Sequence, residues 1–465
     1  LWYNLNGGAI ESLSSNFSQW TMMSYVGRIN YGLMDRYLLT ASLRYDGSSR
    51  LSEGNKWALF PSAAIAWRIT EEDFAKNLDW LSNLKLRFSY GQAGNTNSVS
   101  PYASEGTISG SVYYPFGTST SVGNLPANIA NPMLTWERTS EYNVGLDFGF
   151  LNQRISGNIE YYNRTTNDLL MKRNIPVHLG YSSVTSNVGS VRNSGFELQL
   201  NTANIMTKNF AWNTTINLAY NKNEIVSLAD EEDLSNYSIH LQGMRGRYSD
   251  KRFIGKPVDT NWTQNTIGVW QLGEEEEAAK YGCVPGNFKI KDYNNDGKLT
   301  DDDYIIDGKR TPDWTGGMTN MFKIYDFDFS FHMYFQAGAT QYDRFFENFA
   351  LEWNSQNFNN LRTNYWTPEN PSNTMGRPSQ MGSRGNIAYE RTDFLKVSYI
   401  TLGYTLNKRL MSKWGLDNAR IYVTVQNPFI LTKFRGLDPE QPDLTNIGDT
   451  DGMTMNALLG VNISF

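Results

Sequence analysis

The chain has 465 residues, a formal net charge of −6 and one cysteine, and these values disfavour several classes of protein. The acidic balance argues against a nucleic-acid partner, and Cys283 alone cannot form an intrachain disulfide. Three histidines leave little material for a histidine-based metal site, and no run of about 18 apolar residues could form a spanning helix. Aromatic residues make up 14% of the chain, which is typical of a membrane barrel with Tyr and Trp at both interfaces.

The main structural signal is a strict alternation of apolar and polar residues that recurs along the chain. The clearest segments are 36–46, 84–90, 142–150, 154–161, 196–201 and 327–336. Because side chains of a strand point alternately to opposite faces, each segment has one apolar and one polar face. Roughly 13 such segments are present, each near the length of a tilted membrane strand. The sequence therefore predicts an all-β protein, an antiparallel transmembrane β-barrel.

The connections between these segments are unequal in length. Residues 151–153 alone separate two segments, whereas 92–135, 221–251 and 338–392 are long and polar. Outer-membrane barrels have short periplasmic turns and long extracellular loops, while soluble sandwiches have more uniform linkers. The chain also ends on an alternating strand that closes on Phe465, as bacterial outer-membrane proteins do. These features predict long extracellular loops.

Short motifs distributed along the chain carry a family resemblance. They are RYLLTASLRYDGSSR at 36–50, LFPS at 59–62, AWR at 66–68, LKLR at 84–87, SYG at 89–91, GN at 94–95, LTWE at 134–137, YYN at 161–163, NVG at 187–189 and NSGFE at 193–197. Together they resemble the starch-utilisation-type (SusC-like) TonB-dependent transporters of the Bacteroidota. The resemblance extends from about Trp20 to Phe465, nearly the whole chain.

The resemblance implies a large plugged barrel in the bacterial outer membrane, similar to the 22-stranded transporters. Residues 1–465 would be its C-terminal part, because the family's N-terminal extension, TonB-contacting segment, plug and first strands have no counterpart here. An open sheet edge in lipid is costly, so we expect a fragment, a proteolysis product or one half of a split transporter.

The resemblance also implies a function and a set of partners. The function would be active, TonB-dependent import of oligosaccharides or oligopeptides with a SusD-like surface lipoprotein. The partners would be the missing plug and barrel segment, that lipoprotein, TonB through the missing part, and outer-membrane lipid, with no nucleic acid.

Residues 292–303 match the pattern of a calcium-binding loop, which the long connections predict to be extracellular. The pattern needs oxygen ligands at positions 1, 3, 5, 7, 9 and 12, and Gly297 at position 6 for the sharp turn. The ligands would be Asp292, Asn294, Asp296, Lys298 through its carbonyl, Thr300 and Asp303. Asp303 replaces the usual Glu, which predicts a low affinity and a structural role. The alternative is an acidic turn whose Asn, Asp and Gly favour tight backbone geometry.

Substrate contacts are less well specified by the sequence. Tyr342, Trp353 and Trp366 in the long loops could stack on sugar rings, although packing within the loops explains the same residues. The polar face is expected to line the barrel interior. Its members include Arg44, Lys85, Arg87, Asp147 and Glu160.

The sequence contains no catalytic signature. The serine nucleophile elbow, the phosphate loop, the dinucleotide fingerprint and the zinc-protease motif are all absent, so we predict no catalytic residues and no enzyme. Two other functions stay open: a passive porin-like channel, and a secreted or surface all-β protein that binds glycans or acts in adhesion. A secreted glycosidase with opposed carboxylates ranks last.

Overall fold

The structure, a computed structural model, describes residues 17–176, 178, 180–181, 183–347, 350, 363–378, 383–407, 411, 415–442 and 453–465. The strands in chain order are β1 Met22–Leu33, β2 Tyr37–Ser48, β3 Trp57–Arg68, β4 Leu81–Asn95, β5 Ile108–Phe116, β6 Ser119–Pro126, β7 Glu137–Phe150, β8 Ile155–Asn167, β9 Leu170–Asn174, β10 Ser183–Asn187, β11 Ser190–Met206, β12 Phe210–Ser227 and β13 Glu232–Asp233. They continue with β14 Arg245–Arg247, β15 Arg252–Phe253, β16 Thr260–Gln264, β17 Thr266–Val269, β18 Phe288–Ile290, β19 Tyr304–Lys309, β20 Trp314–Ile324, β21 Phe327–Ala337, β22 Thr340–Tyr342, β23 Tyr389–Arg391, β24 Phe394–Thr405, β25 Asn418–Thr432 and β26 Asn456–Ser464.

Helices are short and lie in the connections. They are α1 Glu275–Lys280 and α2 Arg344–Phe346, with 3₁₀ turns at Ile69–Glu71, Ile239–Leu241, Tyr248–Asp250 and Asp301–Asp303. In the ranges given above, no helix is both long and apolar enough to pass through a membrane.

Thirteen of the described strands form one antiparallel sheet, in the order β1-β2-β3-β4-β7-β8-β11-β12-β20-β21-β24-β25-β26. Each strand pairs with the sheet strand before it and the one after it in the chain, which makes an up-and-down meander. Strands β1 and β26 stand at the two ends of this order, each with one neighbour in the sheet. The predicted antiparallel sheet of about thirteen segments is confirmed.

The two ends of the sheet differ in their connections. At one end, here called the turn end, the connections are 34–36, 69–80, 151–154, 207–209, 325–326 and 406–417. At the other, the loop end, they are 49–56, 96–136, 168–189, 228–313, 338–393 and 433–455. The tightest turns use left-handed backbone at Asp35 (φ 54°), Asn152 (φ 55°) and Tyr325 (φ 53°), a conformation that Asn and Asp tolerate better than most residues. The predicted asymmetry of short turns and long loops is confirmed.

The register aligns the apolar rows of successive strands on one face of the sheet. One such row, followed through eight strands, is Leu39, Ile65, Phe88, Val144, Tyr161, Phe196, Tyr220 and Trp314. Large apolar residues of this face are exposed, among them Ile65 and Tyr161. An exposed apolar face between aromatic ends is the outer surface of a membrane barrel. Trp57 stacks on Tyr45 at the loop end (centroids 4.9 Å apart), and Trp212 stacks on Phe322 at the turn end (5.5 Å).

Buried apolar side chains gather in the loops and at the loop end of the strands. The largest cluster joins loop 228–313 to loop 338–393; its members are Val269, Phe288, Ile290, Phe346, Ala350, Trp366, Met375 and Ala388. A second cluster closes the loop end of β2 to β4 with Leu51, Ala58, Phe60, Val99, Leu134 and Trp136. The loop layer is therefore packed in the manner of a soluble domain.

Substitution of a glycine in β4 would test the packing of this second cluster. A Cβ atom at Gly94 would lie 2.1 Å from Cζ of Phe60, whose ring is buried against Trp136. We expect Gly94→Ala to cost about 1–3 kcal/mol, because the ring must leave its packed position. The measurement is the unfolding temperature in detergent, monitored as the change in electrophoretic mobility on heating. Gly27→Ala in β1 is the control, since nothing lies within 4 Å of a Cβ there. Equal losses in the two variants would contradict the packing argument.

Candidate functional site

The polar face of the sheet carries a network of paired charges near the turn end. Lys85 and Arg87 of β4 both contact Asp147 of β7, with N···O distances of 2.7 Å. Arg87 also reaches Glu160 of β8, at 2.7 Å. These four residues were expected to share the inner face, and the register confirms that they do. The inner wall is thus polar here, with its charges neutralised within the wall.

One of these ion pairs, Arg87 to Glu160, crosses a whole strand, and a glycine makes that crossing possible. Arg87 passes over Gly145 of β7, where an added Cβ would lie 2.9 Å from its guanidinium carbon. Farther along the same sheet, Arg420 of β25 bonds Asp328 of β21 across Gly403 of β24. The missing side chain lets a guanidinium lie flat on the wall. No local sequence pattern marks these ion pairs, because their partners, two strands apart in the sheet, are separated by 73 and 92 residues in the chain.

At the loop end, loops 228–313 and 338–393 are joined into one body, here called the loop unit. The backbone N–H of Thr266 donates to Asn386 Oδ1 (2.9 Å), and that of Val269 donates to Asn373 Oδ1 (2.9 Å). The indole N–H of Trp366 donates to Gln271 Oε1 at 3.0 Å. These bonds and the shared apolar cluster tie the two loops together at the mouth of the barrel.

The three aromatic candidates for substrate stacking fall in this region. Trp366 is 5% exposed and belongs to the apolar cluster, so its ring packs the loops. Tyr342 is half-buried and packs edge-on against Tyr389, with ring centroids 5.0 Å apart. Trp353 lies outside the described residues. Substrate contact by these residues stays a prediction.

Loop 96–136 carries a hairpin that projects its rings outward. This aromatic hairpin comprises β5 and β6, residues 108–126. Tyr113, Tyr114 and Phe116 are 68%, 61% and 63% exposed, and Ile108, Val122 and Leu125 are exposed as well. The sequence contains no charged residue between Glu105 and Glu137. This long stretch without charges is a feature of the sequence that could have indicated an interaction surface.

The calcium-type loop lies within the loop unit, tied down by hydrogen bonds. Asp292 accepts from the backbone N–H groups of Asn295 (2.6 Å) and Gly297 (3.0 Å) and from the Tyr281 hydroxyl (3.0 Å). Burial raises the pKa of the Asp292 carboxyl, but these hydrogen bonds outweigh it and hold that pKa below its ordinary value. Asp303 is fully buried, and its carboxylate accepts from two backbone N–H groups of the same loop.

The six predicted ligands all lie within residues 292–303, and their types of oxygen suit calcium. Among the described residues, however, no three His, Cys, Asp or Glu side chains form a group that could hold a metal ion. The calcium site therefore stays a prediction.

The comparison with known proteins identifies the family. Residues 2–315 match the family described as TonB dependent receptor-like, beta-barrel. The chain belongs to this family. As a member of the TonB-dependent receptors it lies in the bacterial outer membrane, and the family comprises transporters, not enzymes. The predicted location and the prediction of no enzyme are confirmed.

Curated relatives refine the placement within the TonB-dependent receptors. The TonB-dependent receptor SusC of Bacteroides thetaiotaomicron is 35% identical over 457 residues, which cover 96% of this chain and 44% of that protein. The TonB-dependent receptor P26 of Formosa agariphila is 33% identical over 471 residues, covering 97% and 47%. The SusC-like resemblance is confirmed. The chain spans about half the length of the curated relatives it matches.

A solved structure shows the same barrel fold. The RagAB peptide transporter matches with a TM-score of 0.77 at 24% identity, over 99% of this chain and 50% of that chain. The likeness at this identity concerns the fold alone. Together with the family match, it confirms the thirteen-stranded sheet as part of a TonB-dependent receptor barrel.

The calcium prediction can be tested by limited proteolysis. We expect that removing calcium with a chelator will make residues 292–303 more sensitive to protease, while the barrel stays folded, because the metal would cross-link only this loop. Asp296→Asn is expected to give the same sensitivity with calcium present. Glu276→Gln, an exposed position of α1 in the same loop, serves as the control. Cleavage that does not respond to chelation would favour the plain acidic turn.

Proposed function

We propose that this chain forms the wall and outer mouth of a TonB-dependent importer of oligosaccharides or oligopeptides. The observation that carries the proposal is the family match together with a polar inner wall and a packed loop layer at the loop end. The peptide class has a precedent in the RagAB protein, which is called a peptide transporter and shares this fold. The oligosaccharide class follows from the resemblance to the starch-utilisation-type transporters. Such substrates exceed the size that simple porins pass.

The proposed importer needs parts beyond the thirteen strands described. Strands β1 and β26 each have one neighbour in the sheet, and unpaired backbone groups in lipid cost several kcal/mol each. We infer that further strands close the barrel, and that a plug and a TonB-contacting segment supply the energy coupling. The internally paired charges of the wall suit a moving plug, since they are already neutralised and need no fixed partner from it.

The aromatic hairpin supports the proposal of a surface lipoprotein that caps the mouth. Exposed apolar patches on a surface mark interaction sites, and edge strands without charges are normally covered. The hairpin contains no Lys or Arg, so it has no charge that would attract it to anionic lipid headgroups. An apolar protein surface is the partner that fits best.

The active importer differs from a passive channel in its dependence on energy. Cells with the complete transporter are expected to accumulate labelled members of a mixed oligosaccharide and oligopeptide panel that cells lacking it exclude. An uncoupler of the inner-membrane proton gradient is expected to stop this accumulation, because the plug moves only on energy relayed by TonB. Accumulation that continues unchanged after uncoupling would establish the porin-like alternative instead.

Docking at the aromatic hairpin can be tested by co-purification. We expect a variant with Tyr113, Tyr114 and Phe116 changed to Ser to lose most of a co-purifying lipid-anchored surface protein, because central aromatic residues carry most interface energy. The barrel should keep its unfolding temperature. Tyr325→Ser, which changes a similarly exposed ring at the turn end, is the control and should retain the partner. Equal retention by both variants would place the docking surface elsewhere.

A further inference from the structure

The inner wall carries one further carboxylate, which its ion-pair network leaves without a counter-ion. In that network, Lys85 and Arg87 are the cations and Asp147 and Glu160 are the carboxylates. Glu197 of β11 lies directly opposite Glu160 of β8 in the register, so both side chains share the inner face. Together the five residues carry two positive and three negative charges. The wall therefore has one negative charge in excess at Glu197.

Neighbouring groups of the wall do not offset the charge of Glu197. The side chain is exposed and, among the residues that the structure describes, forms no ion pair. Arg164 of β8 already pairs with a carboxylate of β7, at 2.7 Å. The hydroxyl of Tyr162, which lies near Glu197, donates to Asn221 Oδ1 at 3.0 Å. Because like charges directly opposite each other in a sheet repel, the pair of Glu160 and Glu197 destabilises the wall until a cation offsets it.

A depression of about 370 Å³ in the inner wall adjoins Glu197. Ala219 and Gly317 occupy inward-facing positions of β12 and β20, and their small size makes room for it. All residues of the strands that line it, β8, β11, β12, β20 and β21, are described, and no Lys or Arg is among the lining residues. Its polar lining residues are Asn158, Glu197, Gln199, Asn217, Thr315, His332 and Tyr334.

The depression lies where a substrate that has passed the mouth would meet the wall. Thr315 is the second residue of β20, directly after loop 228–313 of the loop unit. Asn158 Nδ2 donates to Glu160 Oε1 at 2.9 Å, which leaves Asn158 Oδ1 as an acceptor. The carboxylate of Glu197 thus stands among amide and hydroxyl oxygens. An ammonium group, with three N–H donors and no acceptor, complements such a set.

We propose that Glu197 and this depression form a subsite for an ammonium group of the imported substrate. The inference rests on the proposed import function and specifies its substrate: an oligomer with a free amino group, either a lysine side chain of an oligopeptide or an amino sugar of an oligosaccharide. Glu197 supplies the opposite charge, and the side-chain oxygens of Asn158, Gln199 and Asn217 accept the remaining N–H groups. A single ion pair in a wet lumen is weak, so the subsite selects a substrate without trapping it.

The test compares amines with acetylated analogues, in which acetylation removes the charge. Triglucosamine and tri-N-acetylglucosamine, and N-acetyl-Ala-Lys-Ala amide and its Nε-acetyl-lysine form, would be titrated calorimetrically into the complete detergent-purified transporter. The titrations would be made at about pH 6, where the amino groups are charged. We expect at least one amine to bind about fivefold more tightly than its acetylated analogue, as one ion pair at an exposed site allows. The amine that binds identifies the source of the ammonium group.

A pair of glutamate variants locates the effect at the wall. Glu197→Gln is expected to weaken binding of the amine about fivefold and to leave the acetylated analogue unchanged. Its unfolding temperature should not fall, because the substitution also relieves the repulsion by Glu160. Glu105→Gln removes the same charge from an exposed position of loop 96–136 and should change neither affinity.

Three results would each overturn the proposal: equal affinity for amine and acetylated analogue, equal effects of the two substitutions, or no binding of either amine. Energy-dependent accumulation of a neutral substrate in that last case would leave the import function standing.

Discussion

The pairing of backbone N–H and C=O groups in lipid is the constraint on which the rest of this structure depends. Hydrocarbon offers no hydrogen-bond partners, so each membrane strand must bond to a neighbour along its whole length. The up-and-down order satisfies this requirement with short connections at the turn end. Because lipid then covers the outer face, apolar residues point outward there, and the packed apolar clusters lie in the loops instead.

The chain therefore contains two parts, the sheet and the loops, that are stabilised by different interactions. The inner wall is polar, and charged side chains of the wall pair with each other. Two of these ion pairs lie flat across Gly145 and Gly403. The loop unit resembles a small soluble domain, stabilised by side-chain packing around Phe288 and Trp366. A wall with neutralised charges lets other groups move past it, whereas packed loops hold fixed surfaces for recognition. The aromatic hairpin projects from a loop whose base, at Val99 and Leu134, is packed in this way.

The membrane strands are the part of the structure that the sequence predicts best. Its alternation predicts about thirteen of them, their antiparallel arrangement and the shared face of Lys85, Arg87, Asp147 and Glu160. The sequence is least informative in the loops. Trp366 was a candidate for substrate stacking on composition alone, but its ring is buried against residues far away in the chain. An aromatic residue in a loop has no periodicity that separates packing from exposure.

The sequence by itself determined the strands, the inward and outward faces and the unequal ends, because a period of two and the solvent on each face are local properties. Only the tertiary structure decided which loop residues meet. Trp366 and Gln271 come together because two long loops are joined, and no local pattern encodes that contact. Arg87 reaches Glu160 because the register puts Gly145 between them, which depends on the alignment of three strands at once.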